Sequence, residues 1–273
     1  MKRTNRLHFS LTAAAAAGVL SALAAPAFAQ WENVKSPSIP RTADGKPNLS
    51  APAPRAADGK PDLSGVWWLP QVGEANTGLP PKYLNNIAAD LKPEQVPLQP
   101  WAATLFKQRG ADLSKDFPYT RCLPAGVPLI SSFPAPWKII QNPGLVVILY
   151  ENSTTFRQIF TDGRTLSKDA NPAWMGYSAG HWEGDTLVVE TAGFNDKTWL
   201  DFSGHPHTDA LRVTERFHRR DIGHLDVQFT FEDPQAYTKP WTATIDPVLF
   251  LDGDLLESVC NENERDLSHL VGK

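Results

Sequence analysis

The feature of this sequence that most constrains its fold is a succession of short apolar runs, each bounded by turn-forming residues, that begins at Trp137. Runs of this length, separated by Asn-Pro-Gly, Asp-Gly and Glu-Gly-Asp turns, are typical of antiparallel strands. The pattern predicts strands over 63–68, 145–150, 156–161, 177–182, 186–191, 211–219, 224–231, 241–245, 248–251 and 255–260. Many short strands joined by tight turns indicate a mainly β protein, either an antiparallel barrel or a sandwich.

Composition limits the other fold classes. The 24 prolines outnumber the 18 glycines, which disfavours long uninterrupted helices. Two short helices are predicted, over 81–91 and 101–109. Hydrophobic residues make up 41% of the chain, enough to bury a core. A mean hydropathy of -0.32 with a single long apolar run excludes a polytopic membrane protein.

That single apolar run has the features of a secretory signal peptide. Three basic residues precede an Ala-rich stretch over 11–23, and Ala27-Phe-Ala29 forms a small-x-small cleavage site. The sequence therefore predicts a signal peptide over 1–29 and a periplasmic or secreted protein. An uncleaved membrane anchor is the alternative.

The charge balance bears on possible partners. The whole chain has a formal net charge of -4, and removing 1–29 removes three basic residues and no acidic residue. The mature chain is therefore more acidic still, and it has no basic cluster. These properties argue against nucleic acid and anionic membranes as partners, and we expect no membrane insertion after cleavage.

The mature chain begins with a Pro- and Ala-rich segment over 30–62, which predicts a flexible leader. It carries a short internal repeat, Asp-Gly-Lys-Pro-Asn/Asp-Leu-Ser, at 44–50 and again at 58–64. A single barrel domain is predicted over 63–273, with an irregular and helical insertion over 70–120.

The chain contains two cysteines, Cys122 and Cys260. In an exported protein two cysteines usually pair, so we predict a disulfide that ties the C-terminal segment to the middle of the chain. A catalytic thiol is an alternative, although neither cysteine has a nearby histidine in sequence. A zinc thiolate site is disfavoured because no C-x-x-C motif occurs.

Two motifs carry a resemblance to known proteins. Gly65-x-Trp67 on the first predicted strand is similar to the G-x-W start of lipocalin and other calycin-like β-barrels. The run D-G-K-P-D-L-S-G-V-W at 58–67, with G-H-W-E-G-D-T-L-V-V-E-T at 180–191, resembles a group of secreted bacterial proteins. The resemblance covers 58–265 and implies a calycin-like antiparallel barrel, but it implies little about chemistry.

Strand alternation identifies Glu215 as a candidate catalytic residue. In the run 211–217 the apolar face holds Leu211, Val213 and Phe217, and Glu215 falls on that same face. A carboxylate on an inward face needs a partner or a raised pKa, and either makes it a candidate acid or base. The structural alternatives are a Glu–Arg bridge inside the barrel or a bulge that turns Glu215 outward.

A second candidate cluster surrounds His181. Tyr177 and His181 share one face of a predicted strand, where they can bind a phenolic or carbonyl oxygen. Ordinary core aromatic packing is the alternative. We assign catalytic roles to Glu215, His181, Tyr177 and Arg157, with Glu215 or His181 moving the proton and the other two stabilising negative charge.

The third cluster contains His205 and His207, two residues apart in a loop with Gly and Pro. The spacing is compatible with a metal pair, although a third ligand would have to come from elsewhere. There are two alternatives to a metal site. The two imidazoles can act in acid–base catalysis at the mouth of a barrel, or they can form hydrogen bonds to backbone groups in a surface turn. We predict a pocket lined by Trp67, Trp174, His205, His207 and Phe229.

Motifs for nucleotide cofactors, ATP and the common hydrolase triads do not occur in the sequence. The sequence therefore favours an exported, cofactor-independent lyase or isomerase that acts on an apolar or aromatic small molecule in a barrel pocket. A non-catalytic carrier with the same pocket and a metal-dependent enzyme built on His205 and His207 are the alternatives. The oligomeric state stays open.

Overall fold

A computed structural model describes residues 39–70, 82–167, 169–251 and 253–262. The predicted signal peptide and residues 30–38 of the predicted leader lie outside these residues. Among the described residues, no helix has both the length and the apolar character that a membrane span requires.

Ten strands form one sheet, which confirms the predicted mainly β class. Their order in the sheet is β10-β1-β2-β3-β4-β5-β6-β7-β8-β9. The strands are β1 (Gly65–Trp68), β2 (Trp137–Asn142), β3 (Leu145–Tyr150), β4 (Thr155–Phe160), β5 (Tyr177–Glu183), β6 (Thr186–Ala192), β7 (Arg212–Arg219), β8 (Leu225–Glu232), β9 (Trp241–Ile245) and β10 (Val248–Leu249).

The sheet curls into a half-barrel that is compatible with a calycin-like fold. Its two edge strands, β9 and β10, follow one another in the chain. The bridge between His224 and Val248 brings β10 next to the start of β8 as well as to β1. The two edges of the sheet therefore lie side by side at this corner.

One strand junction differs from all the others in the sheet. β4 and β5 pair in parallel, and only Ile159 with Ser178 and Phe160 with Ala179 are in register. Every other neighbouring pair is antiparallel. Parallel strands cannot be joined by a tight hairpin turn, so the chain between β4 and β5 is a longer crossover connection. The short pairing leaves room for a cleft at this junction.

The inward face of the sheet follows the predicted alternation most clearly in β7 and β8. In β8, Val227, Phe229 and Phe231 are buried and alternate with more exposed polar residues. In β7, Val213, Glu215 and Phe217 are buried in the same way. Burial of one face with period two is what holds the register of such strands.

The helices are few and short, as the proline content predicts. They are α1 (Lys82–Asn85), α2 (Pro100–Ala111) and α3 (Leu129–Ser132), with 3₁₀ turns at Pro93–Gln95, Pro118–Arg121 and Asn152–Thr154. The prediction over 101–109 corresponds to α2, which begins at a proline in the first helical position. The predicted helix over 81–91 is only the single turn α1 in its described part.

The C-terminal strand predicted over 255–260 is wrong. The described residues there form no strand. Their backbone is held by side chains instead, since Leu256 N–H donates to Glu151 Oε2 at 2.9 Å and Ser258 N–H donates to Thr154 Oγ1 at 3.2 Å. The segment is also fixed by the predicted disulfide between Cys122 and Cys260, whose Cα atoms are 5.6 Å apart.

The described part of the predicted leader differs from a flexible chain. Both copies of the repeat form the same turn, closed by a bridge between Arg41 and Pro47 in the first and between Arg55 and Pro61 in the second. The first copy is fixed to the turn between β7 and β8, because Gly223 N–H donates to the Leu49 carbonyl at 2.8 Å. Apolar leucines in each copy explain why the segment packs on the sheet.

Candidate functional site

The half-barrel encloses an ion pair between Arg157 of β4 and Glu215 of β7. Glu215 lies in register between Val189 of β6 and Phe229 of β8, and its exposed fraction is 0%. Arg157 is 3% exposed. Strand alternation therefore predicted the orientation of Glu215, and the bridge to an arginine is the structural alternative given above.

The hydrogen bonds of this pair form a closed network. Arg157 donates through Nη1 to Glu215 Oε1 at 3.0 Å and through Nη2 to Oε2. It also donates to Ser178 Oγ at 3.0 Å and to Thr191 Oγ1 at 2.7 Å. Burial opposes the charge of Arg157, but the charge and hydrogen bonds of Glu215 raise the pKa of this guanidinium above its ordinary value. Both carboxylate oxygens of Glu215 are therefore occupied by Arg157, and neither is free to take a proton from a substrate while the pair is intact.

A cleft of about 530 Å³ lies at the parallel junction between β4 and β5. Phe156 and Tyr177 stand at its rim, and their exposed fractions are 61% and 45%. Arg157 and Ser178, both buried, belong to its lining as well. The Arg157 side chain points to the inner side of the sheet, where it is paired with Glu215, so of these two predicted catalytic residues only Tyr177 presents its side chain to the cleft.

The cationic groups of the cleft already have carboxylate partners. Arg164 donates through Nε and Nη2 to Asp162, at distances from 2.6 to 3.0 Å, and its guanidinium carbon lies 3.7 Å from the centroid of the Phe160 ring. Arg157 is neutralised by Glu215. The cleft thus offers aromatic surface and polar groups without an uncompensated positive charge.

The structure separates His181 from the other predicted catalytic residues. His181 and Tyr177 do share a face of β5, but it is the outer face. His181 is exposed and its Nε2 lies 3.2 Å from Glu183 Oε1. The inward positions belong to Ser178, to Trp182, and to Gly180, where an added Cβ would lie 3.1 Å from Ile159 Cγ2. The expectation that Tyr177 and His181 face an interior cavity is therefore wrong.

Two of the predicted pocket residues are core residues. Trp67 is 0% exposed, and its indole N–H donates to the Leu63 carbonyl at 3.0 Å. Phe229 is also 0% exposed and its ring centroid lies 6.0 Å from that of Phe231. Trp174 is half-buried, in the segment before β5. Trp67 and Phe229 therefore contribute to packing.

The loop between β6 and β7 holds a second buried polar pair, Asp201 and His205. His205 Nδ1 lies 2.5 Å from Asp201 Oδ2. The carboxylate also accepts backbone N–H bonds from Ile87 at 3.0 Å, Gly204 at 2.9 Å and His205 at 3.1 Å. Acceptance by Asp201 fixes the tautomer that carries the proton on Nδ1, so Nε2 is the basic nitrogen.

His207 differs from His205, although it lies only two residues away. Its Nδ1 donates to the Thr208 carbonyl at 2.9 Å, and its Nε2 lies 2.6 Å from Thr198 Oγ1. Burial lowers the pKa of His207. Both ring nitrogens are therefore engaged, which leaves none for a metal. Across the described ranges, no three His, Cys, Asp or Glu side chains are grouped so as to hold a metal ion.

The sequence analysis gave no functional role to two residues of this region. Asp201 precedes His205 by four residues, and a carboxylate near a loop histidine was the available indication of a pair. The Trp241 ring lies 5.9 Å from the His205 ring, and no sequence pattern predicts this contact.

Comparisons of the chain with protein-family models, with curated proteins and with solved structures find no match.

Proposed function

We propose that this protein is an exported carrier that binds a neutral aromatic or apolar small molecule in the cleft between β4 and β5. The observation that carries the proposal is the cleft itself, which combines a volume of about 530 Å³ with two exposed aromatic side chains, Phe156 and Tyr177. Cavities of about 300–1,000 Å³ suit small organic ligands.

The charges around the cleft support a neutral ligand. An anion would need an uncompensated cation, and both arginines of the cleft are paired with carboxylates. Asp169, which also lines the cleft, adds a negative charge that repels anions. Phe156, Phe160 and Tyr177 offer ring faces, for which stacking adds about 0.5–1.5 kcal/mol per aromatic pair.

A carrier is favoured over a lyase or isomerase that uses Glu215. The carboxylate accepts hydrogen bonds from Arg157 on both oxygens. Removing a proton from a substrate would require this pair to separate inside the sheet, where an unpaired charge is costly. Tyr177 and Arg157 therefore serve the cleft as an aromatic contact and as part of its lining.

Export of the carrier is supported by two features. The sequence of residues 1–29 has the pattern of a signal peptide. The disulfide between Cys122 and Cys260 is of a kind that forms and persists in oxidising compartments.

Two dyes that share one aromatic framework test the ligand class. N-phenylnaphthylamine is neutral, and anilinonaphthalene sulfonate carries a negative charge. We expect the neutral dye to bind more tightly, with fluorescence titration as the measurement. Phe156→Ser and Tyr177→Ser should each weaken its binding by about 3- to 10-fold, the equivalent of one aromatic contact.

Leu256→Ser is the matched control, since this residue is 58% exposed but does not line the cleft. It should leave the affinity for the dye unchanged. The proposal would be contradicted if Phe156→Ser and Tyr177→Ser bound the neutral dye as tightly as Leu256→Ser does. Tighter binding of the anionic dye than of the neutral dye would contradict it as well.

A further inference from the structure

A second cleft, of about 540 Å³, lies beside the β4–β5 cleft. Glu190 and Ala192 of β6 and Arg212 of β7 line it, together with residues of the connections that follow β4 and β6. The hydroxyl group of Thr191 belongs to the hydrogen-bond network inside the sheet, so Glu190 and Ala192 on either side of it point to the outer face. The second cleft therefore opens on the same face of the sheet as Tyr177.

The two clefts are adjacent along the boundary between β5 and β6. Tyr177 and Ala179 line the first cleft, and their direct cross-strand partners, Ala192 and Glu190, line the second. Residues that face each other in an antiparallel pair have Cα atoms about 5 Å apart. The crossover connection between β4 and β5 borders both clefts through four shared lining residues, Thr165, Leu166, Ser167 and Ala170. A molecule longer than the first cleft can therefore extend into the second.

Gly193 places the Tyr177 ring at this boundary. This glycine lines the second cleft, and its φ of +75° lies in the left-handed region. A Cβ added there would lie 3.1 Å from Tyr177 Cδ2 and 3.6 Å from Ala170 Cβ. The aromatic ring at the rim of the first cleft therefore also contacts the lining of the second.

The second cleft differs in chemistry from the first, whose most prominent groups are aromatic. Its lining includes the carboxylates of Glu190 and Asp209, the guanidinium of Arg212 and the hydroxyl groups of Thr165 and Ser167. These groups supply both hydrogen-bond donors and hydrogen-bond acceptors. The two clefts together thus join an aromatic surface to a polar one.

The pairing of Glu190 with Arg212 is loose. Arg212 Nη2 lies 3.5 Å from Glu190 Oε2, at the limit of hydrogen-bond distance, and each side chain is 53% exposed. Both groups can therefore bond to a ligand. A hydroxyl group can donate to the carboxylate and accept from the guanidinium. An ammonium group would be repelled by Arg212 and an anion by Glu190, so the two side chains together favour a neutral hydroxyl group.

We infer that the ligand is an elongated aromatic compound with a neutral arm that carries several hydroxyl groups, as an aryl glycoside does, and that this arm occupies the second cleft. The inference rests on the proposed carrier function, because the aromatic part of the same molecule binds in the β4–β5 cleft. The hydroxyl groups of the arm donate to Glu190 and Asp209 and accept from Arg212. Ligand sites commonly combine apolar surface with a few polar groups that fix the orientation of the ligand.

Two neutral compounds with the same aromatic ring separate this inference from the carrier function. β-Naphthol has the naphthalene ring and one hydroxyl group, and β-naphthyl glucoside adds the hydroxyl-rich arm. Isothermal titration calorimetry measures both affinities. We expect the glucoside to bind about 10-fold more tightly or better, because its arm forms hydrogen bonds in the second cleft. Phe156→Ser should weaken the binding of both compounds by a similar factor.

Variants of the second cleft should affect only the glucoside. Glu190→Ala and Asp209→Ala should each weaken its binding by about 3- to 10-fold, the effect of losing one hydrogen bond, and leave the affinity for β-naphthol unchanged. Glu183→Ala is the matched control for Glu190→Ala. Glu183 is also an exposed carboxylate that pairs with an arginine of β7, but it does not line either cleft. This control should leave both affinities unchanged.

The outcomes distinguish the two proposals. If β-naphthol binds but the glucoside binds no more tightly, the inference is wrong and the carrier function stands. The same holds if Glu190→Ala and Asp209→Ala bind the glucoside as tightly as Glu183→Ala does. Naphthylethylamine carries an ammonium group on the same ring, and tighter binding of this cation than of the glucoside would overturn the assignment of a neutral arm. If none of the three compounds binds, the carrier function fails together with the inference.

Discussion

The pair formed by Arg157 and Glu215 inside the sheet and the pair formed by Asp201 and His205 in the β6–β7 loop are both buried, but they differ in how completely they are satisfied. Every side-chain nitrogen of Arg157 and both carboxylate oxygens of Glu215 have a hydrogen-bond partner within the network that Ser178 and Thr191 complete. The second pair leaves one imidazole nitrogen without a partner among the described residues.

The two pairs illustrate two roles that buried polar side chains can have. A closed, charged pair stabilises a specific arrangement of strands only while both partners are present, and it offers no atom to a substrate. An imidazole that is oriented by a carboxylate, and whose second nitrogen makes no hydrogen bond, retains the capacity to accept a proton.

Breaking the closed pair should have the largest effect. Glu215→Gln leaves the guanidinium of Arg157 buried without a counter-charge, so we expect the free energy of unfolding to fall by about 3–5 kcal/mol. Urea denaturation measures this loss. The double variant Arg157→Met with Glu215→Leu should recover much of it, because no charge remains and Ser178 and Thr191 still lie within 3.0 Å of each other. If the double variant were no more stable than Glu215→Gln, the loss in the free energy of unfolding would come from altered packing and not from an unpaired buried charge.

The closed pair also shows how far the sequence could predict this site. The alternation of apolar residues in β7 was enough to predict that Glu215 points inward, because its neighbours on that face are large and apolar. The partner could not be identified, since Arg157 lies 58 residues earlier on a strand that is not adjacent to β7. Long-range pairing across a curled sheet depends on curvature, which local pattern does not encode.

In β5, strand alternation did not identify the buried face, and the sizes of the side chains explain why. Two of the inward positions of β5 hold small residues, Ser178 and Gly180, so the aromatic Tyr177 does not mark the buried face. The outer face is aromatic because the crossover connection forms a cleft over it. Only the parallel β4–β5 junction explains that cleft, and a sequence of short strands with tight turns predicts antiparallel pairs instead. The mainly β class and the disulfide were predictable, whereas the cleft was not.

Removing the charge of the second pair should have a smaller effect than Glu215→Gln. Asp201→Asn keeps one acceptor oxygen but places an amide group near the N–H donors of Ile87, Gly204 and His205. The partner left behind is an imidazole and not a permanently charged guanidinium, so we expect a loss of about 1–3 kcal/mol in the free energy of unfolding. Thermal and urea unfolding check the value. A loss as large as that of Glu215→Gln would mean that the loop pair, too, is chiefly structural.

The smallest expected effect concerns pH, and it contrasts His207 with the exposed His218. Burial lowers the pKa of His207 in the folded protein, while in the unfolded chain it returns to its ordinary value of 6.5. As the pH falls below about 6.5, the unfolded chain therefore binds this proton first, and the free energy of unfolding decreases by at most about 1.4 kcal/mol per pH unit. Above that pH both states are neutral at this position and the contribution is constant. Urea unfolding over this range should show a flatter pH profile for His207→Gln than for the unmodified protein, whereas His218→Gln should keep the original slope. Parallel profiles for all three proteins would show that burial does not lower the pKa of His207 in the fold.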